Sequence, residues 1–151
     1  MKQDNLLRLD NIGIVVRDLE GAIAFFCELG LEVEGRATVG GQWVDRIIGL
    51  TDARSDIAVL STPDGHSKLE LTRFHPPNEV APSPDSPVNA HGYSRVMFAV
   101  RDIDETVARL KDHGAALIGE IVQYEDMYRL CYLRGPEGII IALAERIDGQ
   151  L

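Results

Sequence analysis

Cysteine is scarce. The chain has two, Cys27 and Cys131, far apart and without a CxxC spacing, which argues against a disulfide framework or a thiolate zinc centre. Both read as buried thiols, Cys27 in a helical pattern and Cys131 in a strand pattern. Positive charge is the second shortage. Fifteen Lys and Arg stand against 24 Asp and Glu, a formal net charge of -9, so a phosphate backbone or an anionic membrane surface is repelled and no nucleic-acid partner is expected. No apolar run approaches the roughly 20 residues of a membrane span. The polar start Met1-Lys2-Gln3-Asp4-Asn5 leads into only a short apolar stretch, so no signal peptide is visible and the expected location is cytoplasmic, with no membrane partner. What remains is ordinary for a folded globule: 45% apolar and 26% charged residues in a chain of 151.

One stretch occurs twice. Asn11-Ile12-Gly13-Ile14-Val15-Val16-Arg17-Asp18-Leu19 has its counterpart in Arg95-Val96-Met97-Phe98-Ala99-Val100-Arg101-Asp102-Ile103. Each copy runs from an alternating strand pattern through an Arg-Asp pair into a helical pattern, which marks an internal repeat. The first strand pattern, Leu9 to Arg17, puts Ile12, Ile14 and Val16 on one face and Asn11, Gly13 and Val15 on the other. Asp18 is placed as N-cap, and Leu19, Ile23, Phe26 and Leu29 follow at helical spacing to a C-terminal Gly30. Strands are predicted over Leu31 to Val39, Ile57 to Ser61 and Lys68 to Phe74, with Gly40 to Arg46 as a loop or irregular crossing. The second copy repeats the order. A strand over Tyr93 to Arg101 precedes N-cap Asp102, with Glu105 three residues on, and a helix carrying Ile103, Val107 and Leu110 to Gly114. Strands at Ala116 to Gln123, Tyr128 to Arg134 and Ile139 to Glu145 complete it, and the tail from Arg146 reads as frayed. Five of the seven prolines fall between His75 and Gly92, a linker or extended arm outside both cores. The expected organisation is one α+β domain, residues 1–151, of two tandem βαβββ modules at about 7–75 and 93–146 joined by a Pro-rich linker at about 76–92.

These openings, with Leu69-Glu70-Leu71 in the fourth strand and the turn Gly135-Pro136-Glu137-Gly138 before the last, resemble the vicinal oxygen chelate superfamily, the glyoxalase, bleomycin-resistance and extradiol-dioxygenase group, over residues 7 to 146. The resemblance implies that the modules curl as a mixed sheet around a shared cavity. There the family holds a divalent metal with one ligand from the first and one from the fourth strand of each module, leaving open positions for two substrate oxygens. Carried across, the four positions are Asn11, Glu70, Arg95 and Ala142. Glu70 alone keeps a carboxylate, Ala142 ligates nothing, and Arg95 brings a fixed cation, so no resident metal or other cofactor is expected.

Two readings of the remaining residues stand side by side. In one, Arg95 holds an anionic or carbonyl-bearing ligand while Glu70 serves as base or orienting acceptor; in the other the two form a structural ion pair in a vacated site. Trp43 and Arg46 are candidates for a wall or lid of the pocket, with a core position as the alternative for Trp43. Asn11, Tyr128 and Tyr132 complete the candidate ligand contacts. Tyr132 and Arg134 share one strand face, Cys131 and Leu133 the other, and spacing leaves open which face lines the cavity. His91 is the one histidine placed near Arg95, as a proton shuttle or a plain linker residue. The implied function is that of a small-molecule protein with a degraded metal site: a lyase-, isomerase- or epimerase-type enzyme, or else a binding protein of the drug-resistance kind, with a metal-dependent lactoylglutathione-lyase-like or dioxygenase enzyme as third alternative. The family resemblance also implies a homodimer.

Overall fold

The computed structural model describes residues 9–80, 84–89 and 95–149. The chain is α+β, with two mixed sheets and, among the described residues, three α-helices. It divides into two compact units, Met1–Glu79 and Val80–Leu151. No helix among the described residues is long and apolar enough to cross a membrane.

The first unit runs β1 (Ile12–Val15), α1 (Leu19–Leu29), β2 (Glu32–Gly40), α2 (Gln42–Ile48), β3 (Arg54–Ser61) and β4 (Lys68–Phe74). Asp18 starts α1 by accepting the Gly21 N–H at 3.0 Å, and Gly30 ends it at φ +125°, a conformation open to glycine. The strands order as β1-β4-β3-β2, with β1 parallel to β4 and the other pairs antiparallel. This register puts Ile14, Leu71 and Ala58 on one face and Gly13, Glu70 and Val59 on the other. The first face is the buried one. Ala58, Leu60, Leu69 and Leu71 close against α1, whose Phe25 and Phe26 are also fully enclosed, and each such large side chain contributes about 1.5–3 kcal/mol.

The second unit runs β5 (Val96–Val100), α3 (Ile103–Lys111), β6 (Ala116–Leu117), β7 (Val122–Tyr124), β8 (Tyr128–Arg134), a 3-10 turn at Pro136–Gly138 and β9 (Ile140–Arg146). Its sheet orders as β5-β9-β8-β6, with β7 also paired to β8. Ile103, Val107 and Leu110 form the buried stripe of α3, and Cys131, Leu133, Ile141 and Leu143 form the buried sheet face. Asp102 caps the helix by accepting the Glu105 N–H at 3.0 Å, and Glu145 from β9 accepts the Ile103 N–H at 2.9 Å.

Four expectations change. Gly40 to Arg46 is no loop: Gly41 turns the chain at φ +114° and α2 follows, closed by Gly49 in the left-handed region. The expected strand over Ala116 to Gln123 breaks into β6 and β7 where the chain bends after the Ile118 N–H has bonded the Tyr132 carbonyl at 3.0 Å. The tail is not frayed at Arg146, which closes β9 and meets Asp148 at 2.9 Å, while the Ile147 N–H bonds the Met127 carbonyl. Cys27 is exposed; Cys131 is buried, and burial pushes its thiol pKa up. In the Pro-rich segment, the Pro84 and Ser86 carbonyls accept from Arg134 at 3.1 and 3.0 Å. Tyr93 and His91 lie outside the described residues.

Candidate functional site

In the first unit the candidate groups gather on the face turned away from α1. Glu70 sits mid-strand in β4, between Gly13 of β1 and Val59 of β3. It is half-buried, and among the described residues of this unit no hydrogen bond or ion pair holds its carboxylate. Asn11 is exposed just before β1, and strand alternation gives it the parity of Gly13, hence the face of Glu70. Trp43 and Arg46 lie apart on α2. Trp43 is 63% exposed, so it is not a core residue, and among the described residues no ring contact, hydrogen bond or ion pair joins either side chain to Glu70.

A cavity of about 570 Å³ opens on the opposite face, between the start of α1 and the ends of β2, β3 and β4. Its charges are internally matched. Arg17 meets Glu79 at 2.8 Å, Arg36 pairs with Glu20, and Arg73 lies 3.6 Å from Asp56. Asp56 also accepts from the Thr38 hydroxyl at 2.8 Å and has His75 Nε2 at 3.0 Å, in ion-pair range though outside hydrogen-bond alignment. The Thr38 hydrogen bond first, and His75 second, hold the Asp56 carboxyl below the usual aspartate range. Sequence patterning gave no sign of this cluster, because it depends on a cross-strand register between Thr38, Asp56 and Arg73.

The second unit resolves the facing of β8. Tyr132 pairs with Ala142, and Met97 pairs with Ala142 from the other side, so Tyr128, Leu130, Tyr132 and Arg134 lie on the face that carries the implied ligand position. Cys131 and Leu133 point to the α3 side. Arg95, exposed just before β5, stacks over the Tyr132 ring with its Cζ 5.2 Å from the centroid. Arg146 stands 5.6 Å over Tyr128 in the same manner, a pairing hidden from the sequence because it needs the β8–β9 register. Arg129 points the other way and grips Asp104 through two contacts at 2.5 and 3.0 Å. Arg129 therefore turns away from Arg134 on β8, and the two do not share a face.

The donor chemistry does not fit a divalent metal. Ala142 is fully buried and carries no donor, Arg95 is a stacked cation, and among the described residues no three His, Cys, Asp or Glu side chains cluster as a metal requires.

A family model described as glyoxalase/bleomycin resistance protein/dioxygenase superfamily matches residues 8–143. A glyoxalase family protein from Bacillus cereus is similar over 97% of this chain and 99% of its own, at 56% identity and a TM-score of 0.93. A glyoxylase/bleomycin resistance protein/dioxygenase domain from Frankia sp. EAN1pec shares the fold at 17% identity and a TM-score of 0.68, over 97% and 96% of the two chains. So does a genomically encoded fosfomycin resistance protein from Listeria monocytogenes, solved as a point mutant with Mn(II) and a dihydroxypropylphosphonic acid, at 14% identity and a TM-score of 0.60, over 91% and 89%. No curated protein matches the chain.

Proposed function

The chain belongs to the glyoxalase/bleomycin resistance protein/dioxygenase superfamily, and from that premise we propose a small-molecule enzyme of the lyase, isomerase or epimerase type that works without the family's usual metal. The observation that supports it is the make-up of the four implied ligand positions. Glu70 keeps a half-buried carboxylate that meets no partner among the described residues of its unit, Ala142 has no donor, and Arg95 offers a guanidinium backed by the Tyr132 ring. A base and a cation are the two things needed to move a proton next to a carbonyl. Glu70 is suited to remove the proton from the carbon, the electron pair shifting into the carbonyl, and to return it afterwards, while a guanidinium such as that of Arg95 is the kind of group that steadies the oxyanion in between.

The reading is one of proton transfer at carbon with Glu70 as the base. Incubation in D2O with carbonyl acids bearing an exchangeable α-proton, followed by proton NMR, tests it. Wild type is expected to wash deuterium into at least one of them, and Glu70→Gln to slow that exchange by about 100-fold or more while ligand binding persists. Non-additive losses in the Glu70→Gln, Arg95→Gln double variant are expected if both groups act on one ligand. Binding without exchange by the wild type sinks the enzyme and favours a binding protein of the resistance kind, a reading supported by the stacked aromatic face of the second unit. A homodimer belongs to the same proposal, on the family resemblance, and sedimentation velocity checks it.

A further inference from the structure

The sheet face of the second unit that carries Arg95 is unlike the chain as a whole. The chain has 24 acidic residues against 15 basic ones, yet no strand position on this face is a carboxylate. Its middle is apolar. Met97, Ala144 and Leu130 line it, and Ala142 between them is fully buried. At the two ends stand the Tyr132–Arg95 and Tyr128–Arg146 stacks, four residues apart along β8 and so about 13 Å apart.

The cations of this face are not equivalent. Arg146 is answered by Asp148, at 2.9 and 3.3 Å. Arg134 is occupied by the carbonyls of Pro84, Ser86 and Gly138. Arg95 meets no carboxylate among the described residues of its unit. The guanidinium lies over the Tyr132 ring, and no described residue of the unit takes up its N–H groups, which suit a carboxylate bound through two parallel hydrogen bonds.

We propose that this face binds a ligand with an anionic group of the carboxylate type, held by Arg95, and a flat apolar body lying along the Tyr132 ring and the exposed Met97 side chain. The inference rests on the small-molecule reading above and narrows it to a chemical class. A face with no strand carboxylate, and with Arg95 and Arg134 answered by no carboxylate among the described residues of the unit, selects against a cationic ligand.

The test is a chemical-shift titration of isotope-labelled protein with matched acids and amides: benzoate against benzamide, 3-phenylpropionate against 3-phenylpropionamide, and 2-naphthoate against 2-naphthamide. Each pair has the same body and differs in charge. The acids are expected to shift amide signals of β5, β8 and β9 and to bind at least about tenfold more tightly than their amides, the scale of one charge-assisted contact. Arg95→Gln should remove that preference with little change in amide binding, and Tyr132→Leu should weaken acid and amide alike. The spectra also report whether each variant is folded. Equal affinity for acid and amide, or a preference that survives Arg95→Gln, overturns the anion assignment and leaves the small-molecule reading standing. Shifts confined to other strands, or none with any compound in folded wild type, overturn both.

Discussion

Gly138 shows how much one residue can hold in place. A Cβ built there would sit 2.2 Å from the Pro84 carbonyl oxygen, and the backbone is at φ +87°. Gly114 has nearly the same backbone, φ +89°, with nothing within 4 Å of a built Cβ. Gly114→Ala therefore incurs only the left-handed backbone penalty, about 1–3 kcal/mol, whereas Gly138→Ala adds an overlap that only displacement of Pro84 relieves. Urea unfolding should place Gly138→Ala well below Gly114→Ala in stability, and equal losses would show that Pro84 moves freely. Arg134 works beside it, tying Pro84 and Ser86 to β8. Neither role was legible in the sequence. A Gly in a Gly-Pro-Glu-Gly turn and an Arg at a strand end are both ordinary there, and only the return of a linker segment onto them gives them work.

At the scale of elements, the helix starts were the most legible features and the short helix the least. Asp18 and Asp102 cap α1 and α3 as their sequence positions predict, because a side-chain oxygen three residues before an orphan N–H is a local signal. α2 has a single buried residue, Val44, and leaves Trp43 and Ile47 exposed, so it offered no periodicity to read. Asp102→Ala is expected to cost about 1 kcal/mol in chemical denaturation. The neighbouring Asp104 makes a separate, pH-dependent contribution. Its hydrogen bonds to Arg129 hold its pKa below the ordinary value of 3.8, so the folded form binds the proton less readily than the unfolded chain. The stabilisation is then complete above the ordinary aspartate range and is lost as pH falls through the depressed folded value. Asp104→Asn should lower the melting temperature at pH 7, and the gap from wild type should narrow in acid below about pH 4, where the pairing is being titrated away. A gap that stays constant into acid would mean that the Asp104 carboxylate does not carry the effect.

For the molecule as a whole, duplication was the informative signal. Two copies of a strand, Arg-Asp and helix opening specify the unit, and the sheet of each half, four strands in the first and five in the second, follows from short, local connections. The site was legible only in part. Glu70 and Ala142 could be assigned to their strands from motifs, but the stacking of Arg95 on Tyr132 and the exposed place of Trp43 depend on side-chain register and on a helix that local pattern does not encode. The same four positions carry the last prediction. A catalytic divalent ion needs several oxygen or imidazole donors at one point, and a fixed guanidinium at one of those positions adds repulsion to a missing ligand. Protein purified without chelator or affinity-tag metal should hold far less than one equivalent of any divalent metal by elemental mass spectrometry, and Glu70→Ala should not change that content. Near-stoichiometric metal that disappears in Glu70→Ala would mean that Glu70 ligates with donors outside the four positions. The chemistry would then have to be rewritten with Glu70 as a ligand and not as the base.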